Sequence, residues 1–202
     1  LQSHMEALID GVWEPTTDRL ISCHEEILRL KRLVGDLEKL AQYESENLIL
    51  NKRKFNLGEV IKNIVLNFEK EFLNKEVELI FYSKDIVVCG DKDKISQVIV
   101  NLMSNALKYT LKGGKVEVNL LEDGQYVKLS VKDTGIGISE MDLSYVFERF
   151  YRVDESRNKL TGGAGIGLTI TKSIIEAHKG TISVESTINQ GTEFIVKLPM
   201  DT

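Results

Sequence analysis

The sequence Asn101-Leu-Met-Ser-Asn-Ala-Leu-Lys-Tyr-Thr110 covers the end of a longer stretch, Lys92–Tyr109, whose apolar residues recur at helical spacing. Six of these apolar residues form the predicted core-facing side of a helix: Ile95, Val98, Ile99, Leu102, Met103 and Ala106. Four polar residues fall at i, i+4, i+7 and i+8 along a second face: Asn101, Asn105, Lys108 and Tyr109. Because two carboxamides, an ammonium and a phenol are unusual on one helix face, we interpret this face as a candidate binding surface.

Short strand patterns and helical patterns surround this helix from about Leu48 onwards. The predicted strands are Val77–Tyr82, Ile86–Cys89, Lys115–Leu121, Tyr126–Val131, Thr181–Ser186 and Thr192–Leu198. The other predicted helices are Leu57–Leu73, Ser139–Phe147 and Ile166–His178. Because strands and helices come in runs, the pattern favours an α+β sandwich, with one mixed sheet and helices on one face, over a doubly wound fold.

The first part of the chain has a different pattern. From Leu20 to Glu44 apolar residues recur at heptad spacing, which predicts one long helix, and a shorter helical stretch precedes the break at Glu14-Pro15. We therefore predict a helical hairpin in residues 1–47 and the α+β domain in residues 48–202. A hairpin this small cannot bury so broad an apolar stripe alone, so we expect it to form a homodimeric four-helix bundle.

Composition narrows the class of protein. The chain has 202 residues, of which 42% are hydrophobic and 28% charged, and its net charge of −5 argues against nucleic-acid binding. Two cysteines are too few for a disulfide framework and favour a reducing, cytosolic setting. We expect no membrane span and no secretory signal, because the sequence contains neither a run of about 18 apolar residues nor a leader pattern.

Two glycine-rich stretches are candidates for nucleotide contact. Leu168 and Thr169 follow Gly162–Gly167 where a P-loop requires Lys and Ser or Thr, so this stretch is not a P-loop. The spacing of its glycines also differs from the dinucleotide-binding fingerprint. The histidine-arginine-aspartate and aspartate-phenylalanine-glycine motifs of eukaryotic-type protein kinases are absent. The standard nucleotide-binding templates are thereby excluded.

The order of five motifs is more informative than any of them alone. They are Asn101-Leu-Met-Ser-Asn105-Ala-Leu-Lys108-Tyr109-Thr110, Asp133-Thr-Gly-Ile-Gly137-Ile, Phe147-Glu-Arg-Phe150-Tyr-Arg152, Gly163-Ala-Gly165-Ile-Gly167-Leu168 and Gly191-Thr192-Glu-Phe194. In this order they resemble the N, G1, F, G2 and G3 boxes of two-component sensor histidine kinases. The resemblance implies the ATP-binding sandwich shared with gyrase-type, chaperone-type and mismatch-repair ATPases. It also implies that the hairpin is the later part of a dimerisation and histidine-phosphotransfer domain.

The resemblance assigns expected roles to individual residues. Asn105 is the expected Mg²⁺ ligand, and Asp133 is expected to accept a hydrogen bond from the adenine amino group, which guanine lacks. The stretch from Arg152 to Gly162 is expected to be a lid, with Arg149, Arg152 and Arg157 offsetting the phosphate charge. The other expected contacts of ATP are Asn101, Lys108, Tyr109, Gly135, Gly137, Gly163, Gly165, Gly167, Leu168 and Thr192.

The expected catalytic set is Asn101, Gln97 and Lys108. Related ATPases carry a glutamate one turn before the first Asn of the N box, and this chain has Gln97 there. Because a neutral amide is a poor general base, we expect phosphoryl transfer to a protein group rather than ATP hydrolysis.

The phosphoacceptor motif of the family, His-[Glu/Asp]-x-x-x-Pro, does not occur in the chain. His4 and His24 lack the proline, and His178 is expected to cap the helix that it follows. We therefore expect this fragment to begin just after the acceptor segment and to be unable to phosphorylate itself. Its expected place is the cytoplasmic portion of a membrane-anchored sensor kinase, without direct membrane contact, acting on a histidine that passes its phosphoryl group to a response regulator.

Two alternatives stay open at this point. One is a serine kinase or ATPase on the same sandwich, as in anti-sigma factors, against which the heptad helix and Gln97 argue. The other is a nucleotide-binding or dimerising scaffold without catalysis.

Overall fold

The computed structural model describes residues 2–44, 49–152 and 165–200, except the side chains of residues 29, 32, 33 and 36–44. The helices are α1 (Gln2–Ile9), α2 (Thr17–Glu44), α3 (Leu57–Lys75), α4 (Lys92–Tyr109), α5 (Glu140–Leu143) and α6 (Gly167–Ala177). The strands are β1 (Arg53–Asn56), β2 (Glu78–Tyr82), β3 (Val87–Gly90), β4 (Lys115–Asp123), β5 (Tyr126–Asp133), β6 (Thr181–Thr187) and β7 (Gly191–Pro199). The predicted α+β class is confirmed.

Five strands form one mixed sheet in the order β2-β4-β5-β7-β6. β2 and β4 are parallel, and the other neighbours are antiparallel. Buried side chains alternate along β4 (Val116, Val118 and Leu120), so one face of the sheet forms the core with α3, α4 and α6. The register pairs Asp133 with Thr192, which places the last residue of β5 beside the start of β7.

The prediction of a single sheet is wrong. The strand expected at Ile86–Cys89 pairs, as β3, with the unpredicted strand β1 in a separate two-stranded antiparallel sheet. The backbone of Leu57 continues this contact by donating to the carbonyl of Ile86 (2.8 Å). Because β1 is short, charged and paired with a partner more than thirty residues away, its own sequence carries little strand signal.

The predicted helix Ser139–Phe147 is also too long. The helical turn of α5 is capped by Ser139, whose hydroxyl accepts from the amide of Asp142 (3.2 Å), and turns follow it. None of the residues of α5 is buried, so packing does not extend it. The helix predicted at Ile166–His178 is observed as α6, with those two residues as its caps.

The start of α4 is tied to two other parts of the chain. Asp91 caps the helix, and its carboxylate accepts from the amides of Asp93 and Lys94 (both 3.1 Å) and of Asn51 (2.9 Å). Burial by itself would raise the pKa of Asp91, but these donors and the nearby His178 lower it. The amide of Asp91 donates to Nε2 of His178 (2.9 Å). The connection after the hairpin, α4 and the end of α6 therefore share one buried network.

His178 is more than the helix cap that the sequence predicts. It is 2% exposed, and Nδ1 lies 2.7 Å from the carbonyl oxygen of Ile174 while Nε2 accepts from Asp91. The imidazole therefore has to be neutral, with its proton on Nδ1. Burial lowers the pKa of His178, aided by Lys52 and opposed by the hydrogen bond to Ile174 and by Asp91.

This geometry predicts a loss of stability on mild acidification. Since the pKa of His178 is lower in the folded than in the unfolded chain, the unfolded chain binds more protons just below pH 6.5. We expect the free energy of unfolding in urea to be highest above that pH and to fall from pH 7 to pH 5. His178→Gln should flatten this slope, whereas His24→Gln, at an exposed site on α2, should not. An unchanged slope in His178→Gln would contradict the assignment.

α2 leaves much of its apolar surface uncovered. α2 packs against α6, with Cys23 buried, but Leu20, Ile27 and Val34 of the heptad stripe are 50%, 47% and 57% exposed. In the ranges that the structure describes, no helix is both long and apolar enough to cross a bilayer.

Candidate functional site

The two faces of α4 differ as the sequence predicts. Its six predicted core residues are all buried. On the polar face Gln97, Asn101, Asn105 and Lys108 are half-buried, and Tyr109 is 41% exposed. The ammonium of Lys108 lies 4.9 Å from the centroid of the Tyr109 ring. The N box therefore presents an accessible polar surface beside a fully packed core.

α6 joins this surface at Asn101. The carboxamide of Asn101 donates to the hydroxyl of Thr171 (2.9 Å), and a Cβ on Gly167 would lie 2.5 Å from Asn101 Oδ1. Only glycine at position 167 lets the first turn of α6 approach the polar face so closely. The first turn of α6 also carries Leu168, which packs against the core. Thr171 was not predicted, although its position one turn after Gly167 could have indicated it.

The G1 box places a buried carboxylate at the other end of α4. Asp133 is 5% exposed and accepts from the amide of Gly135 (2.7 Å) and from the amide of Thr192. Burial raises the pKa of Asp133, and the two amide donors oppose that shift. A carboxylate has about four acceptor positions, so these two amides leave capacity for a further donor.

Glycines bring the backbone close on both sides of Asp133. A Cβ on Gly135 would lie 2.4 Å from the carbonyl oxygen of Tyr109, which also accepts from the amide of Ile136 (3.3 Å). Gly137 has a φ of +69°, and its Cβ would lie 2.1 Å from the carbonyl oxygen of Thr187. The loop after β5 is therefore packed between the last turn of α4 and the end of β6, without room for side chains at these two positions.

A hydroxyl pair lies next to this loop. Ser186 Oγ donates to the carbonyl of Gly191 (2.7 Å), accepts from the amide of Ile138 (2.8 Å) and lies 2.9 Å from the hydroxyl of Thr192. Thr192 is buried, like Asp133, with which it pairs across the neighbouring strands β5 and β7. The sequence predicts Thr192 as a site residue but not Ser186. No motif contains Ser186, and only its position opposite Thr192 in the strand pair indicates a role at the site.

The F box packs against both other parts of the site. The ring of Phe147 meets that of Phe194 edge-on, with centroids 6.3 Å apart, and its carbonyl accepts from the hydroxyl of Thr169 on α6 (3.0 Å). The phenol of Tyr151 donates to Asp142, and this hydrogen bond raises the pKa of Tyr151 to about 12. Gly165 has a φ of +74°, and a Cβ there would lie 2.8 Å from the carbonyl oxygen of Tyr151.

Part of the predicted site lies outside the described residues. This applies to Gly163, to Arg157 and to the expected lid apart from Arg152, which is half-buried. All other predicted contacts are described, and nine of them fall into two groups. Asn101, Gly165, Gly167 and Leu168 lie at α6, while Tyr109, Asp133, Gly135, Gly137 and Thr192 surround the G1 loop.

The donor set limits what kind of metal could be held. Within the described residues no group of three or more His, Cys, Asp and Glu side chains could form a metal centre. Asn105 lies between the two groups, and its carboxamide makes no hydrogen bond to another described residue. An amide oxygen that no described residue engages would suit a Mg²⁺ ion that keeps waters and takes its other ligands from a bound phosphate group.

Comparison with known proteins gives consistent matches. Residues 90–202 match the family model of histidine kinase-, DNA gyrase B- and HSP90-like ATPases. The sensor histidine kinase WalK of Bacillus subtilis is 37% identical over 208 residues, a match that covers 98% of this chain and 34% of WalK. The chain thus spans about a third of the length of the curated relatives that it matches.

Solved structures agree with these matches. The histidine kinase AdeS of Acinetobacter baumannii superposes with a TM-score of 0.76 and 28% identity, over 98% of this chain and 92% of that chain. The histidine kinase ThkA, in its complex with the response regulator protein TrrA, gives a TM-score of 0.75 and 25% identity over 98% of this chain and 56% of that chain.

Proposed function

Because the chain belongs to the histidine kinase-, DNA gyrase B- and HSP90-like ATPase family, we propose that it is the ATP-binding catalytic portion of a sensor histidine kinase. In this proposal it transfers the γ-phosphoryl group of ATP to a histidine of the parent kinase. The observation that carries the proposal is the buried Asp133 carboxylate in a glycine-lined loop, joined through α4 to the first turn of α6.

In this proposal Asp133 recognises the adenine base of the nucleotide. Its carboxylate accepts a hydrogen bond from the adenine amino group, and guanine has a carbonyl oxygen at that position, which would meet the carboxylate unfavourably. The buried setting strengthens this discrimination, because a polar group that lacks a partner there cannot form a hydrogen bond to water instead. Gly135 and Gly137 keep the loop free of side chains where the purine approaches.

In this proposal the phosphates lie at the group of residues near the start of α6, which consists of Asn101, Gly165, Gly167 and Leu168. The first turn of α6 offers backbone N–H groups that have no acceptor within the helix, together with the positive end of the helix dipole, and both favour anions. Asn105 would hold Mg²⁺, which would supply positive charge to offset that of the phosphates. Lys108 and Arg152 add local positive charge, which a chain with a net charge of −5 requires at an anion site.

Gln97 and Asn101 are proposed to orient the reacting groups by hydrogen bonds rather than to remove a proton from the nucleophile. Both are carboxamides one turn apart on the polar face of α4, and Asn101 is fixed by its hydrogen bond to Thr171. Since neither is a base, an attacking water is not activated, which favours transfer to a nucleophilic imidazole over hydrolysis. The serine kinase and ATPase alternative, which relies on a carboxylate base in this position, is disfavoured for the same reason.

The acceptor histidine in this proposal lies outside these 202 residues. His178 is buried and uses both ring nitrogens, while His4 and His24 lack the acceptor motif. The complex of ThkA with TrrA supports a response regulator as the downstream partner. We place the chain in the cytoplasmic portion of a membrane-anchored sensor, in keeping with its sensor-kinase relatives.

The exposed stripe of α2 supports a homodimer. Burying Leu20, Ile27 and Val34 against a second copy would remove them from water at about 25 cal/mol per Å² of apolar area. We expect light scattering to give twice the chain mass of 22.8 kDa, and Ile27→Glu to give the monomer mass. Leu66→Glu, at an equally exposed apolar site on α3, is the control that should stay dimeric.

Calorimetric titration with nucleotides tests the function. We expect Mg·ADP to bind and Mg·GDP to bind at least tenfold more weakly. Asn105→Ala should weaken Mg·ADP binding by about tenfold and should abolish the gain in affinity that Mg²⁺ gives over ADP with chelator. Ser104→Ala, at the exposed neighbouring position, is the control and should behave like the wild type. Absence of ADP binding would favour the scaffold alternative, and rapid phosphate release from ATP would favour the ATPase.

A further inference from the structure

Lys75 makes a long-range contact that the proposed site does not include. It is the last residue of α3, and its ammonium donates to the carbonyl oxygens of Leu107 (2.5 Å) and Lys108 (2.8 Å) on α4. The side chain is half-buried, and this burial lowers the pKa of Lys75. Desolvation and the loss of side-chain entropy oppose this arrangement, and the two hydrogen bonds to carbonyl oxygens offset them. We therefore interpret Lys75 as a residue with a specific structural role.

The contact completes the end of α4. A helix leaves its last four carbonyl groups without partners in the helix, and these have to be satisfied from outside. At α4, Thr110 bonds to the carbonyl of Ala106 through both its amide (3.0 Å) and its hydroxyl (2.7 Å). Lys75 satisfies the next two carbonyls, and the amide of Ile136 satisfies that of Tyr109. A cation is also favoured at a helix C-terminus by the helix dipole.

This last turn belongs to the candidate site. It carries Lys108 and Tyr109, and the Tyr109 carbonyl lies against Gly135, where even a Cβ would approach to 2.4 Å. Because there is no free space between them, a shift of the last turn has to displace the loop that Asp133 holds through Gly135. The position of α4's end therefore affects both the charged side chain and the buried carboxylate.

We propose that Lys75 is a positioning residue of the nucleotide site, which fixes the last turn of α4 so that Lys108 and the Asp133 loop meet the same ligand. The inference rests on the proposed function, since it concerns the same site. Lys75 touches no ligand in this proposal and acts through the backbone of α4. Removing its ammonium leaves two carbonyls unpaired and allows the last turn to fray, which lowers the fraction of molecules with the site assembled.

Calorimetric titration of Mg·ADP into Lys75→Met tests the inference, because methionine keeps an unbranched, flexible side chain and removes the donors. We expect the affinity to fall by about tenfold. Lys70→Met, an exposed lysine on the same helix, is the matched control and should bind within twofold of the wild type. Unfolding in urea without nucleotide shows that each variant is folded under the titration conditions. Wild-type affinity in Lys75→Met would overturn the inference.

A double-mutant cycle with Lys108→Met separates positioning from general destabilisation. Since Lys75 is proposed to place both Lys108 and the Asp133 loop, the double variant should lose clearly less binding free energy than the sum of the two single losses. Fully additive losses would overturn the inference. Should Lys75→Met fail to fold, Lys75→Gln replaces it in the same cycle with the same criterion. Failure of the wild type to bind Mg·ADP would instead overturn the proposed function, and this inference with it.

Discussion

Asp133→Asn should lower the affinity for Mg·ADP by about a hundredfold and remove the preference for adenine over guanine. The carboxylate already accepts from the amides of Gly135 and Thr192, so an amide side chain would keep its oxygen on those donors. Its NH₂ group would then face the adenine amino group, donor against donor, in a buried site. Guanine offers an oxygen in the same place, so the loss for Mg·GDP should be smaller. Calorimetric titration of both nucleotides measures the change.

The control for this prediction is Asp123→Asn. Asp123 lies at the end of β4 in the same sheet, where its ion pair with Lys197 is exposed, and its loss should leave nucleotide affinity unchanged. If Asp133→Asn bound both nucleotides like the wild type, base recognition would have to be assigned elsewhere. If it lost both equally and also unfolded at lower urea, the role of Asp133 would be structural.

The second large effect is expected from Gly191→Ala, which should destabilise the fold by about 3 kcal/mol or more. Gly191 has a φ of +112°, and a Cβ there would lie 1.8 Å from the carbonyl oxygen of Asp133. The obstacle is backbone in the adjacent strand, which cannot rotate away as a side chain could. The strand pair that positions Asp133 and Thr192 would therefore have to separate. Urea unfolding measures the stability, and titration of Mg·ADP measures the accompanying loss of binding.

Gly124→Ala is the matched control for strain alone. Gly124 also has a positive φ of +66°, but a Cβ there would meet no atom within 4 Å. We expect it to cost about 1 kcal/mol, the usual penalty for a left-handed non-glycine residue, without an effect on nucleotide binding. Equal losses in the two variants would show that the steric overlap at Gly191 is relieved by a small backbone shift.

The sequence was most informative where local pattern and packing agree. The six buried apolar positions of α4 are all predicted, because a 3.6-residue period along eighteen residues has few alternative interpretations. The resemblance to sensor histidine kinases, drawn from five ordered motifs, is confirmed by the relatives that match 98% of the chain. The roles of single residues within those motifs remain predictions.

Features that depend on distant contacts were missed. β1 exists because β3 offers it a partner, and its own residues carry no alternation of apolar and polar side chains. α5 is short because it buries nothing, which a local pattern does not reveal. Thr171, Ser186 and Lys75 are ordinary surface-type residues in the sequence, and only their neighbours in space give them a role.

The network at Asp91 also links the chain that follows α2 to the start of α4. The carboxylate that caps α4 is shared with the amide of Asn51, only a few residues after the hairpin. A movement of α2 relative to α4 that keeps this cap intact therefore has to leave Asn51 in place. A movement that displaces Asn51 has to break this hydrogen bond or shift the first turn of α4 with it. The cap of α4 thus couples the backbone at residue 51 to the helix that carries the proposed nucleotide-binding residues.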